Sequence, residues 1–350
     1  MVLRSTTLLA LTAICLFSTT SAISASEIPA DTPVNQLVSS ANSHLAKAEF
    51  NEALTYFDVA ISRDPKNYLT LFKRGATYLS LGKNVQASQD FDRVLIIKPG
   101  FEGALLQRAK IKAKSADWAG AKQDYVTAGK GEGQEVRELE EAQKAASAAF
   151  EAETKSDWET CITQAGTAIM TASTALALRQ LRARCRFERG EIQEGASDLA
   201  HVLQISPGLI EPHLQISSML FFSLGDTERG LAQIRRCLHS DPDSTPCSKL
   251  FRREKLLDKE YTKVKKFMEK RQFSSAAKLL AGSGEDVGLT QDVRDEIKSF
   301  KDQGIIHQKA PDEFITQLVE LTCQAYYEVS YIPYISTAAK TNTPTPDGIV

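Results

Sequence analysis

The feature of the sequence that most constrains the fold is a period of 34 residues in the first part of the chain. Small residues recur at this spacing, and an aromatic residue follows each of them by four positions: Ala53 and Phe57, Ala87 and Phe91, Ala121 and Tyr125. Between these segments, Pro65 and Pro99 are also 34 residues apart. Agreement at several positions is improbable by chance, so this region is a series of similar structural units.

The period and its residue types resemble the tetratricopeptide repeat (TPR). In this repeat, small residues let two antiparallel helices touch, and an aromatic residue fills the space beside the next unit. The predicted fold class is therefore all-α, a TPR superhelical solenoid of antiparallel helix pairs. Repeats of this kind bind other chains, so the signal is strong for the fold and weak for chemistry.

The pattern divides the chain into blocks. Three repeats form block I, 34–133, and a long connecting helix without Pro or Gly opens block II, 134–255. A partial block III covers 256–328, where the last helix looks like the first half of a new unit. The tail, 329–350, contains Pro and Thr and is predicted to be disordered. We interpret this atypical end as a truncated or alternatively spliced product, or as an error in the gene assignment.

Two segments have a competing interpretation. Gly129–Gly133 could be mistaken for a phosphate loop, but it lacks the Gly-Lys-Ser/Thr ending and no strand precedes it, so it is predicted to be an ordinary loop. The helix predicted over Leu250–Arg271 is strongly basic. Acidic residues intersperse its lysines, which favours a solvated helical face.

The N-terminus predicts export. Arg4 precedes an apolar run, Leu8–Phe17, and small residues follow up to Ala22, which is typical of a cleaved signal peptide over 1–22. The alternative, a membrane anchor, would need a longer apolar run, and no later stretch reaches the roughly 20 apolar residues of a spanning helix. We therefore expect no membrane span and an oxidising compartment for the mature chain.

Composition and motifs argue against several functions. The net charge of −2 gives no basic excess of the kind that nucleic-acid binders carry. The five His residues show no metal-ligand spacing, no glycine-rich nucleotide loop follows a strand, and no nucleophile is paired with a base at a recognisable spacing. We therefore expect neither an enzyme, nor a cofactor, nor a metal site, nor a nucleic-acid partner.

The repeat register predicts a binding groove. In stacked repeats the first helices of the pairs line the concave wall. Taking Pro65 and Pro99 as the last patterned position of the 34-residue repeat then identifies the residues of each first helix that face this wall. The candidate peptide-binding residues are mostly apolar: Val38, Asn42, Leu45, Leu69, Phe72, Ala76, Leu79 and Leu106. The alternative is that some of them are buried by the next helix or by another protomer.

The predicted wall lacks most of the residues that some TPR domains use to bind a C-terminal carboxylate. Repeats that clamp a chaperone's C-terminal carboxylate need a set of Lys and Asn residues on this wall. Only Asn42 matches that set, while Val38, Lys73, Gly103 and Gln107 occupy the other positions. The wall therefore predicts capture of an extended hydrophobic segment.

The cysteines allow one sterically reasonable bridge. Cys237 ends a predicted second helix and Cys247 lies in the first turns of the next, so the fold-back between them can bring the two together. The alternative is two independent thiols. Cys161, in a small-residue column, and Cys185, in mid-helix, are predicted to be buried thiols, and Cys323 has no evident partner.

The secretory signal, the repeat blocks joined by a long helix, and the spacing of Cys237 and Cys247, with Cys237 in the sequence Arg236–Pro242, together resemble a known family. It is that of the luminal TPR and J-domain co-chaperones of the endoplasmic reticulum, DnaJ subfamily C, of the fifty-eight-kilodalton protein-kinase-inhibitor type. The resemblance implies that block I binds unfolded or misfolded polypeptides and that the protein cooperates with BiP, the luminal heat-shock ATPase. It also implies a second bridge in the last block, with Cys323 as its first cysteine.

The sequence departs from that family in two respects, one of which is that the partner expected for Cys323 lies beyond the point where this sequence diverges. The family's J domain carries His-Pro-Asp, the loop that stimulates the ATPase, and this tripeptide does not occur in the 350 residues. Stimulation of ATP hydrolysis is therefore not expected of this chain, whereas client binding is. The alternative function is a non-catalytic TPR scaffold that binds one specific folded partner.

Overall fold

The structure is a computed structural model that describes residues 24–283 and 286–341, with side chains described as far as residue 330. The predicted signal peptide, 1–22, lies outside the described residues. The fold is all-α, as predicted, and its helices run in antiparallel pairs. They are α1 (Val34–Ala46), α2 (Phe50–Arg63), α3 (Tyr68–Ser80), α4 (Asn84–Ile97), α5 (Glu102–Lys114), α6 (Trp118–Thr127), α7 (Gln134–Thr154), α8 (Trp158–Thr171), α9 (Leu176–Arg189), α10 (Ile192–Ile205), α11 (Ile210–Ser218), α12 (Thr227–Ser240), α13 (Thr245–Glu269), α14 (Phe273–Ala281), α15 (Leu289–Asp302) and α16 (Glu313–Thr341).

Four short elements lie among these helices. A 3-10 turn, Ala25–Glu27, precedes α1, and a π-helical turn, Met219–Ser223, extends α11. Two-residue strands, β1 (Gly282–Ser283) and β2 (Asp286–Val287), pair antiparallel between α14 and α15. No strand elsewhere in the described residues competes with helix packing.

The contacts divide the chain into two compact units. The first unit comprises the residues up to Lys112 together with Ala119–Glu132, and the second comprises Ala113–Trp118 and the residues from Gly133 onward. The predicted division between blocks II and III, at 255/256, lies inside the continuous helix α13. These two blocks therefore belong to one unit.

Each pair is closed by small residues packed against aromatic rings. Ala53, Ala87 and Phe91 are fully buried in the first unit. A Cβ atom added to Gly75 on α3 would lie 2.8 Å from Cε1 of Phe91 on α4, which is closer than real side-chain atoms approach. The small and aromatic residues that recur every 34 positions thus form the contact between the two helices of a pair, which we call the seam.

Buried ion pairs cross the same seam, and sequence reasoning missed them. In three helix pairs, an arginine on the first helix donates two hydrogen bonds to the carboxylate of an aspartate that lies 16 residues later on the second helix. The N–O distances are 2.5–2.9 Å in Arg74–Asp90, Arg108–Asp124 and Arg182–Asp198. Burial opposes ionisation of Asp124, but hydrogen bonds from Arg108 and Lys112 hold its pKa below the usual range. The repeats are therefore tied by charge as well as by apolar packing.

The turn inside each pair contains one residue in the left-handed region, with φ between 54° and 82°. These turn residues are Ala48, Gly82, Ala116, Ser156, Gly190, Gly225, Arg271 and Gly304. Four of them carry a Cβ atom, which this conformation disfavours. The chain therefore accepts local strain to keep the same turn in pairs that lack glycine.

The cysteine prediction is half right. Cys237 and Cys247 form a disulfide, as predicted, with their Cα atoms 6.2 Å apart. Cys161 and Cys185 were predicted to be buried thiols, which is wrong, because they form a second disulfide between α8 and α9 with Cα atoms 6.3 Å apart. Cys323 is exposed and unpaired among the described residues.

The C-terminal region also differs from the prediction. The backbone stays helical through 329–341, where disorder was predicted, and residues 342–350 lie outside the described residues. Helix α16 contacts α14 and α15, so it is the second helix of the last pair, and the expectation of a new first helix is wrong. Of the prolines that favoured disorder, Pro344 and Pro346 lie outside the described residues, whereas Pro333 lies within α16.

The second unit buries one carboxyl group without a cation. Glu254 on α13 is 0% exposed, and Oγ of Ser217 lies 2.9 and 3.0 Å from its two carboxyl oxygens. Oγ of Ser217 also lies 2.8 Å from the carbonyl oxygen of Gly230. Burial raises the pKa of Glu254 to about 8 from 4.5, although the hydrogen bond with Ser217 acts in the opposite direction.

Ser156→Gly is expected to stabilise the second unit by about 1 kcal/mol, because glycine adopts φ near 57° without a clash of Cβ. Ala232→Gly is the matched control, since Ala232 is exposed in the middle of α12 and glycine should cost about 1 kcal/mol there. Urea denaturation followed by circular dichroism measures both. Equal destabilisation by the two substitutions would contradict the turn assignment.

Glu254→Gln is expected to flatten the pH dependence of stability of the second unit. Below pH 4.5 the carboxyl is protonated in the folded and unfolded chain alike. Between pH 4.5 and about 8 only the unfolded chain is ionised, so stability falls with rising pH by about 1.4 kcal/mol per unit and then levels off. Denaturation across this range tests the slope, with exposed Glu228→Gln as the control that should preserve it.

Candidate functional site

The candidate site is the inner wall of the first unit, formed by α1, α3 and α5 and defined by the eight predicted groove residues. Contacts between these helices place them side by side: Lys73 Nζ of α3 donates to Asn42 Oδ1 of α1 at 3.2 Å, and Gly103 of α5 lies against the Phe72 ring of α3. The wall is therefore a continuous surface over the three first helices.

None of the eight residues is fully buried. Asn42 and Leu69 are exposed, and 47% of the Leu69 side-chain surface is accessible. The remaining six are half-buried: Val38, Leu45, Phe72, Ala76, Leu79 and Leu106. Seven of the eight are apolar, so the wall offers apolar surface to solvent.

Phe72 serves both the wall and the fold. Its ring centroid lies 5.8 Å from that of Phe91 and 5.1 Å from that of Phe101. A Cβ atom on Gly103 would lie 3.1 Å from Cζ of Phe72, so glycine at this position makes room for the ring. Substitution of Phe72 would therefore disturb the seam as well as the surface.

The side chains of Val38, Leu45 and Leu79 also pack against buried residues of the core. Val38 packs near Leu37 and Ala60, Leu45 packs near Phe57, and Leu79 borders the cluster around Phe91. Leu69 belongs to none of these clusters and is the most accessible apolar residue of the wall. A substitution of Leu69 can therefore change binding at the wall without disturbing the packing of the core.

Charged groups lie at the border of the wall, and the sequence analysis identified only some of them. Lys73 was noted at a wall position, and its bond to Asn42 leaves that amide engaged. Sequence reasoning missed Lys98, whose Nζ lies 3.1 Å from the Tyr68 hydroxyl and 4.5 Å from the Tyr68 ring centroid. The hydrogen bond to Asp90 raises the pKa of Arg74 above its ordinary value, so this cation stays bound within the seam.

Within the described residues, no group of three or more His, Cys, Asp or Glu side chains is placed to hold a metal ion. The described helices also include none with the length and apolarity that a bilayer crossing requires. The wall's chemistry is that of apolar contact with a few polar groups at its border.

Curated relatives match most of the chain. It is 47% identical over 324 residues to the tetratricopeptide repeat and J domain-containing co-chaperone DNJ1 of Fusarium oxysporum f. sp. lycopersici, covering 92% of this chain and 62% of that protein. The protein of the same description from Cryptococcus neoformans var. grubii is 32% identical over 83% of this chain and 58% of its own length. Human DnaJ homolog subfamily C member 3 is 30% identical over 61% of this chain and 44% of its own length. The chain thus spans about six-tenths of the two fungal relatives.

A solved structure agrees with the fold. The TPR domain of P58(IPK) superposes with a TM-score of 0.67 at 23% identity, covering 84% of this chain and 79% of that chain. No protein-family model matches the chain. By sequence the chain is thus similar to TPR and J-domain co-chaperones, and the solved structure supports the TPR fold.

Proposed function

We propose that the inner wall binds hydrophobic segments of unfolded or misfolded polypeptides. The observation that supports this most is the partial exposure of seven apolar side chains along three adjacent helices. Each apolar side chain that is fully buried on binding contributes about 1.5–3 kcal/mol before the ordering costs of the client are subtracted. A wall of shallow apolar contacts suits many sequences, because it imposes few hydrogen-bonding requirements.

The proposal extends to location and partner. We place the protein in the lumen of the endoplasmic reticulum, assisting a BiP-type heat-shock ATPase. Two disulfides support an oxidising compartment, and the relatives' description as co-chaperones supports a chaperone partner. Because His-Pro-Asp does not occur in these 350 residues, we assign client binding to them and not stimulation of ATP hydrolysis.

The alternative function is a non-catalytic scaffold that recognises one folded partner. The ordered border of the wall supports this alternative, since Lys98 and the Lys73–Asn42 pair could fix the register of a specific ligand. The two functions differ in client range. Promiscuous binding to unrelated denatured proteins favours the co-chaperone, and we propose no enzymatic activity for either.

Leu69→Glu is expected to reduce suppression of client aggregation by roughly tenfold in the protein concentration required, because a charge on the wall opposes apolar contact. The matched control is Ile96→Glu, because Ile96 is 79% exposed and lies on the second helix α4, which does not contribute to the wall. Light scattering of reduced, denatured client proteins measures the effect, and circular dichroism checks that both variants fold.

The outcomes separate the hypotheses. Loss of suppression in Leu69→Glu alone supports the wall. Equal suppression by both variants contradicts it. Absence of suppression by the unmodified chain, across several unrelated clients, favours the scaffold.

A further inference from the structure

The second unit contains a separate cleft, which we name the α13 cleft. Its volume is about 1180 Å³, and it is bounded by α11, α13 and α15 and by the loop between α12 and α13. These three helices are the first helices of the last three pairs, so the cleft lies on the side that stacked repeats use for binding. Its apolar lining includes Leu214, Pro242, Leu250, Leu256, Phe300 and Ile305.

The cationic groups of the α13 cleft differ in whether they are neutralised. Arg253 is held by Asp292 at 2.5 Å and by Glu296 at 2.9 Å. Lys249 and Arg252 also line the cleft and are exposed, and neither forms an ion pair or hydrogen bond among the described residues. The cleft therefore presents two unneutralised cations beside an apolar surface.

Few carboxylates oppose these cations. Helix α13 carries eight Lys or Arg residues and four Asp or Glu residues. One of the four is Glu254, which is buried and whose raised pKa keeps it neutral. In the cleft lining, Glu296 is engaged by Arg253, which leaves Asp243 on the rim. The balance of free charge in the cleft is positive.

One rim of the cleft is covalently fixed. Pro242 and Asp243 of the loop and Pro246 in the first turn of α13 lie on this rim, and the Cys237–Cys247 disulfide closes the segment that contains them. The Ser244 amide donates to the carbonyl oxygen of Asp241 at 3.2 Å, which fixes the turn further. A rim that is already ordered loses little conformational entropy when a ligand binds.

We propose that the α13 cleft binds a polypeptide segment that carries carboxylates next to an apolar side chain. The segment's carboxylates pair with Lys249 and Arg252, and its apolar side chain lies against Leu256 and Phe300. The volume exceeds the 300–1,000 Å³ that is roughly typical of small-molecule pockets, which favours a chain segment. Leu256, 48% exposed, provides apolar contact that a nucleic-acid backbone would not use.

This cleft is independent of the inner wall, because it lies in the second unit and selects for negative charge. The test uses the full chain and a short fluorescein-labelled peptide of alternating Glu and Leu, with binding measured by fluorescence anisotropy. A second peptide of alternating Lys and Leu reverses the charge. We expect the acidic peptide to bind more tightly, and its affinity to fall as salt screens the exposed cations.

Arg252→Glu is expected to weaken binding of the acidic peptide by about tenfold or more, because it turns attraction into repulsion. Lys259→Glu is the matched control, since Lys259 is exposed on the same helix and does not line the cleft. Lys249→Glu provides a second variant in case Arg252→Glu is poorly folded, as judged by circular dichroism.

Three results would overturn the proposal. The first is equal weakening by the cleft variants and by Lys259→Glu. The second is tighter binding of the Lys-Leu peptide than of the Glu-Leu peptide. The third is preferential binding of a single-stranded RNA oligonucleotide that the same cleft variants abolish, which would assign the cleft to nucleic acid.

Discussion

The close approach of the two helices in each pair is the constraint on which the other features depend. Gly75 faces Phe91 and Gly230 faces Phe221 at distances where a Cβ atom, 2.8 and 2.7 Å from its neighbour, could not fit. Because a small residue on one helix accepts a large one from the other, the backbones can pack closely with few voids. This packing fixes which face of each first helix turns toward the binding surface. The composition of the inner wall therefore depends on how the helices pack at the seam, and Phe72 contributes to both the wall and the seam.

Polar groups on the seam follow the same spacing but change character along the chain. Arg74–Asp90, Arg108–Asp124 and Arg182–Asp198 are charged pairs separated by 16 residues. At the same separation in the next pair stand Ser217, which contacts the buried Glu254, and Gln233, whose Nε2 lies 2.9 Å from Nδ1 of His213. Burial lowers the pKa of His213, which keeps its ring neutral. The α11–α12 pair thus has neutral hydrogen bonds at the separation where the three other pairs have ion pairs.

The repeat period predicted the helical pairs because one local pattern recurs. It also predicted the Cys237–Cys247 bridge, because the two residues flank a short fold-back. The Cys161–Cys185 bridge was missed although a signal existed. Cys161 occupies the column of Ala53 and Ala87, and the residue 24 positions later lies on the adjacent first helix. Contacts between neighbouring pairs depend on how units stack, and pairing within one unit does not reveal them. The α13 cleft was missed for the same reason, since the basic helix over Leu250–Arg271 was interpreted without the two helices beside it.

The neutral state of Glu254 couples folding to solution chemistry. A chain that carries this carboxyl ionised when unfolded must take up one proton to reach the packed state near neutral pH. The buffer supplies that proton and contributes its own heat of ionisation. The calorimetric enthalpy of unfolding of the second unit will therefore differ between phosphate and Tris at the same pH, even though the packing is identical.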